Sequence, residues 1–252
     1  MLNRFFGKEK MAKHAKLKSD NPATLFKENV DYLILEEGID VRSQHDFFSL
    51  RSNLLKDKEN FITLCKEAKQ NVSLLFDPQT PAKTIKRLLV LLAAIDSIPI
   101  YRTLQRYAEL DTPLKPWAVI AAQQSRMLIS TSLMNNNAGV FISSGLGGAK
   151  SKLRYFCVFP YNKTKILEQY QEELLYNELT YSIKRAEGEV ERFTIKPYYI
   201  TATILLPLRS DIKEIFGEIV AECNTYGDFL NEKVIITNVK ELTDSEIQNH
   251  MG

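Results

Sequence analysis

The densest group of chemically suggestive residues is Gly145-Leu146-Gly147-Gly148-Ala149-Lys150-Ser151, a glycine-rich run that ends in lysine and serine. Glycine-rich loops cradle phosphates by aiming backbone N–H groups at the oxygens, and the pattern G-x-x-x-x-G-K-[ST] does so at the start of a helix. Here Ser144 and Ala149 stand where that pattern needs glycine. The run also leads into Lys152-Leu153-Arg154-Tyr155-Phe156, which reads as a strand rather than a helix. The dinucleotide spacing G-x-G-x-x-G fails too, because Lys150 takes the place of the third glycine.

The run is therefore expected to be a long hairpin loop, its glycines supplying positive φ angles at a flexible tip. Lys150, Lys152 and Arg154 follow it, and residues 152 and 154 share one strand face, so three positive charges gather at one edge. Gly145, Gly147, Gly148, Lys150, Lys152 and Arg154 are the predicted partner-binding site.

Other chemistry finds less support. His14, His45 and His250 have no Cys, Asp or Glu at a metal-ligand or triad spacing. Cys65, Cys157 and Cys223 lie far apart among apolar neighbours, with no C-x-x-C pair, which suits buried thiols in a reducing compartment. The carboxylates, among them Glu36-Glu37, Glu172-Glu173 and Glu187/Glu189/Glu191, sit on predicted helix faces or in a polar bend beside Lys184, Arg185 and Arg192. No catalytic residue, metal or cofactor is expected from these patterns.

The elements that must position these residues fall into two blocks. Asp20-Asn21-Pro22 opens a helix that Gly38 stops, giving about 22–37. Ser43 with Asp46 resembles a capping box and opens a second helix, and a third spans about 58–76. Thr80-Pro81, Ile98-Pro99 and Thr112-Pro113 each begin a further helix, near 81–95, 99–109 and 113–134. Six amphipathic helices with short connections imply an antiparallel stack. The periodicity and proline placement from Pro81 to Leu133 resemble helix pairs of the HEAT type, which implies a similar packing style.

After Asn135-Asn136-Asn137 the pattern changes. Strands are predicted at 139–144 and 153–159, then a helix at 162–187, a strand at 198–206, a helix after Ser210 and a strand at 234–239. The fold class is α+β: a β-β-α-β-α-β sheet of about four strands with helices on one face, whose last two strands are parallel neighbours across a right-handed crossover. The expected organisation is a flexible basic tail over 1–19, an all-helical block over 20–137, an α+β block over 138–239 and a C-terminal tail over 240–252.

The formal charge of +2 is unevenly placed, since residues 1–18 carry six Lys or Arg against Glu9, a local +5. Leu2, Phe5 and Phe6 precede those lysines, a pattern that suits peripheral contact with an anionic membrane surface. Neither a secretory signal nor an apolar stretch of about 18 residues is present, so a cytoplasmic protein without a transmembrane segment is expected.

The resulting expectation is a non-enzymatic interaction protein, an adaptor or regulatory subunit of a larger assembly with a protein partner. Two alternatives stand beside it. One is a nucleic-acid- or ribosome-associated factor that uses the basic tail and the Lys150/Lys152/Arg154 patch. The other is a small-ligand sensor or enzyme with a pocket under the glycine loop.

Overall fold

The structure, a computed structural model, describes residues 32–134, 140–162 and 167–251. The basic tail and most of the predicted helix at 22–37 lie outside the described residues. What is described of that helix is a strand, β1 (Tyr32–Ile34), which pairs in parallel with β2 (Val140–Ile142). The short Tyr-Leu-Ile run favours extended backbone once a partner strand is available, and tertiary pairing overrides the helical period.

Five helices follow: α1 (Val41–Leu54), α2 (Lys58–Gln70), α3 (Ala82–Leu92), α4 (Ile98–Ala108) and α5 (Lys115–Met134). Their starts are chemically marked. The Asp40 carboxylate accepts from Ser43 N at 2.8 Å and that of Asp57 from Asn60 N at 3.1 Å, satisfying first-turn donors. The predicted helix over 58–76 ends early because the Asn71 amide donates to Glu67 O at 2.9 Å, and Val72–Phe76 continues as a 3-10 turn.

The HEAT-type packing expected over Pro81 to Leu133 is not confirmed. In such an array each unit touches only its neighbours. Here α5 packs against α1, α3 and α4 together, and α3 touches α1, α2 and α4. The core they share includes the fully buried Phe47, Leu89, Leu92, Leu104 and Ile120.

The second block is built on β4 (Lys152–Pro160), α6 (Gln169–Arg185), β5 (Glu189–Ile195), β6 (Tyr199–Pro207), α7 (Ile212–Asn224) and β7 (Ile235–Thr237). In space the strands run β7-β4-β6-β5, with β3 (Gly148–Ala149) on the same edge of β4 as β7. All these pairings are antiparallel, the split β-α-β arrangement of ferredoxin-like sheets. The expected parallel neighbours, β6 and β7, are therefore separated by β4.

Leu175, Leu179 and Ile183 of α6 and Phe216, Ile219 and Cys223 of α7 cover one sheet face, meeting Cys157, Phe159, Ile200, Ala202 and Ile204. The opposite face is covered as well. The stretch expected as a C-terminal tail carries α8 (Asp244–Met251), and its Ile247 is buried against Phe156, Val158 and Tyr199.

Strand β5, read from sequence as a polar bend, is a real edge strand with a bulge between Val190 and Arg192. Val190 pairs with Ile204 and Arg192 with Thr203, so Glu191 is the extra residue. The bulge lets Val190 and Phe193, three apart, both join the core under the helices.

Candidate functional site

The predicted hairpin between 139–144 and 153–159 does not form: β2 pairs with β1 in a separate two-stranded sheet, and the hairpin partner of β4 is β3. Ala149 pairs with Lys152, so the connection is Lys150-Ser151, with φ values of 50° and 62°. Positive φ at both central residues is the signature of the type I′ turn that matches strand twist. The glycines lie outside this turn, at a crossing of three backbone segments. Leu146 N donates to Asn238 O at 3.1 Å, and Gly148 N donates to Glu36 O at 3.1 Å.

A Cβ on Gly145 would stand 1.6 Å from Val239 O. One on Gly147, which has φ +67°, would stand 2.3 Å from Glu36 O. Gly147 and Gly148 are buried. The glycines thus allow close backbone approach rather than forming the tip of the turn.

Two of the three expected cations are internally paired. Arg154 makes a fork with Glu191, Nε to Oε2 at 2.5 Å and Nη2 to Oε1 at 2.7 Å, while its Nη1 donates to Leu146 O at 2.9 Å. This fork holds the Glu191 carboxyl below its ordinary pKa and raises that of Arg154. Lys150 Nζ lies 3.1 Å from Glu189 Oε2. Lys152 has no acidic partner among the described residues. The patch is therefore a strip of mixed charge, three cations against two carboxylates, across the turn, β4 and β5.

The rest of this sheet face is occupied by the C-terminal segment. Arg192 pairs with Glu241 and also donates to Thr203 Oγ1 at 3.0 Å. The Tyr199 hydroxyl donates to Asp244 Oδ1 at 2.7 Å, and Lys196 Nζ approaches Asp244 Oδ2 at 3.7 Å. Burial, then the bond to Asp244, pushes the Tyr199 phenol up to about 12, so it stays a neutral donor at physiological pH.

Unbalanced positive charge lies instead on the helical block, where sequence reasoning did not look. Residues 82–134 hold seven Lys or Arg against three Asp or Glu, a formal +4. Some of these cations are engaged: Lys86 lies 4.5 Å from the Trp117 ring centroid, Arg106 4.7 Å from that of Phe76, and Lys115 3.5 Å from Glu37. Arg102 of α4 and Arg126 of α5 have no acidic partner among the described residues. They line a groove of about 300 Å³ with Tyr101, Gln105 and Ser130 and with the isoleucines Ile98 and Ile129, between two helices in direct contact. Two guanidinium groups beside amide and hydroxyl donors form an anion-receptive surface, and arginine's planar fork matches phosphate oxygens. A charge count along the helices, instead of one for the tail and one for the remainder, would have found it.

A larger groove of about 890 Å³ runs between α6 and the β5 edge, lined by Glu172, Glu173, Tyr176, Phe193 and Ile195. Burial pushes the thiols up, Cys65 to about 11 and Cys223 to about 12, with Cys157 raised furthest. All three stay protonated at neutral pH, which suits the expected inert role. Among the described residues no cluster of three His, Cys, Asp or Glu could hold a metal ion. Nor is any helix among them long and apolar enough to cross a membrane.

No family model matches this chain, and no curated protein does. Among solved structures it is similar to a Deinococcus radiodurans protein described as a transposase. The identity is 16%, the TM-score 0.34, and the match covers 40% of this chain and 88% of that one. It is also similar to a REP-associated tyrosine transposase bound to a REP hairpin, at 12% identity and a TM-score of 0.31, covering 39% of this chain and 61% of that one. The solved structures it resembles are described as transposases and not as adaptors of a multiprotein complex, so the expectation of a non-enzymatic adaptor is withdrawn. At such TM-scores the likeness transfers neither their chemistry nor their substrates.

Proposed function

We propose that this protein is a nucleic-acid-associated factor that grips phosphate backbone on its helical block. The observation that carries the reading is the α4–α5 groove, where Arg102 and Arg126 stand without acidic partners among the described residues, beside Tyr101, Gln105 and Ser130. Phosphate contacts of this kind supply affinity without sequence preference, and each neutralised phosphate releases condensed counterions. The basic tail, with its local +5, adds a sequence-independent attraction that speeds encounter. Lys152 on the hairpin extends the same reading to the sheet, whereas Lys150 and Arg154 serve the fold through their glutamates. The free thiols Cys65, Cys157 and Cys223 suit a reducing compartment, and we place the protein in the cytoplasm.

The test is the double charge reversal Arg102→Glu/Arg126→Glu. Both side chains are exposed, so the variant should keep the parent's melting temperature within a few degrees. Its affinity for a fluorescent oligonucleotide at low salt should fall roughly tenfold or more. Unchanged affinity in a folded variant would remove the groove from the interface.

A further inference from the structure

The sheet face opposite α6 and α7 presents Phe156 and Val158 of β4, Tyr199, Thr201 and Thr203 of β6, and Arg192 of β5. The segment laid across it, residues 240–251, carries Glu241, Asp244 and Glu246 against Lys240 alone, a formal −2. Its polar ties to the sheet among the described residues all set an acid on a sheet-side donor: Glu241 on Arg192, and Asp244 on the Tyr199 hydroxyl and Lys196. Its apolar ties are Leu242 and Ile247, which sit with Phe156, Val158 and Tyr199. An acidic segment, anchored by the buried Ile247 and by exposed ion pairs, therefore occupies a face whose own groups are aromatic rings, hydroxyls and cations.

We infer that this face is a binding surface for single-stranded nucleic acid and that residues 240–251 are its internal occupant, displaced when a strand binds. The inference rests on the nucleic-acid reading of the preceding section and adds a second surface to it. The chemistry of the occupant matches that of the strand. Carboxylates stand where phosphates would meet Arg192 and Lys196, and Ile247 covers the rings on which bases would stack. Aromatic side chains on a four-stranded antiparallel sheet, flanked by cations, are a general platform for unpaired bases.

The cover is also of a kind that can leave. Helix α8 has eight residues, shorter than the roughly 12–15 at which an isolated helix becomes even marginally stable, so it depends on its contacts with the sheet. Glu241 and Asp244 are exposed, and exposed ion pairs hold weakly. When a surface is covered most of the time, apparent affinity is reduced by the fraction uncovered, so loosening the cover strengthens binding.

The experiment uses the full chain and a labelled oligo-dT of about 20 nucleotides. Glu241→Gln/Asp244→Asn loosens the polar ties, and Ile247→Ser loosens the apolar anchor. Each should bind several-fold to about tenfold tighter than the parent. Hydrogen exchange on the parent provides a readout that needs no variant: amides of residues 244–251 should exchange faster when the oligonucleotide is saturating. Affinity unchanged or lowered in Glu241→Gln/Asp244→Asn, or protection of 244–251 retained in the complex, overturns the inference. The outcome is separable from that of the α4–α5 groove. A parent that binds and loses affinity on Arg102→Glu/Arg126→Glu, yet gains none when the cover is loosened, refutes the covered sheet alone. A parent indifferent to the arginine reversal but tightened by Glu241→Gln/Asp244→Asn refutes the groove alone.

Discussion

Arg154 on β4 reaches over β6 to Glu191 on β5, closing a two-bond fork of 2.5 and 2.7 Å across three strands. Leu205, which pairs with Arg154 on one side and Glu189 on the other, is only 2% exposed although it lies on the face away from α6 and α7. The bulge at Glu191 makes the geometry possible, because it adds a residue whose carboxylate reaches back toward β4.

Replacing Glu191 by glutamine removes the charged half of this fork. The side chains are 24% and 28% exposed, so the loss should be screened to about 0.5–1 kcal/mol at neutral pH. Because Arg154 lowers the folded-state pKa of Glu191, the contribution is fully present above the unfolded value of about 4.3 and is lost as pH falls through the folded one. Urea midpoints of parent and Glu191→Gln should therefore differ at pH 7, and the difference should shrink as pH falls below the unfolded value and through the lowered folded one. A difference independent of pH throughout the acid range would mean the fork is not the cause.

Two glycine-to-alanine substitutions should have opposite effects. Gly145→Ala places a methyl 1.6 Å from Val239 O, forcing the 145–148 and 238–239 segments apart, and should cost more than about 3 kcal/mol. Gly217 lies inside α7 with nothing within 4 Å of its would-be Cβ, and Gly217→Ala should add roughly 0.5–1 kcal/mol through helix propensity. Thermal melts of the two variants check both signs, and a neutral Gly145→Ala would contradict the close crossing.

The cysteines should react in a set order. Cys157 and Cys223 are buried and Cys65 is half-buried, with its pKa pushed up to about 11. A disulfide reagent at pH 8 should label Cys65 slowly and the other two only after unfolding, because the reactive thiolate is scarce in the first and inaccessible in the others. Rapid labelling of Cys157 in the native state would contradict its position under α6 and α7.

What the sequence made legible follows its punctuation. The proline and cap signals located α3, α4 and α5, and the apolar alternation of residues 198–206 located β6, because these are local preferences. Strand β5 was hidden because its bulge breaks the period of two, so Val190 and Phe193 do not alternate. Strand β1 was hidden because its pairing with β2 joins residues about a hundred positions apart. The glycine loop was found but misread, since glycine serves tight turns and close backbone crossings alike and only the partners Glu36 and Val239 tell them apart. The Arg154 charge was visible in the sequence, but its neutraliser, Glu191, comes from another strand. The excess positive charge of residues 82–134 was countable in the sequence, but that Arg102 and Arg126 line one groove follows only from the packing of α4 against α5.

The central claim is that phosphate is gripped in the α4–α5 groove, and the most direct measurement is the salt dependence of oligonucleotide affinity for the parent and for Arg102→Glu/Arg126→Glu. A log–log plot should be linear for the parent. For the variant the slope should be shallower by roughly 1–2 units, about one for each phosphate that is no longer neutralised. Parallel lines of equal slope and equal affinity would contradict the account.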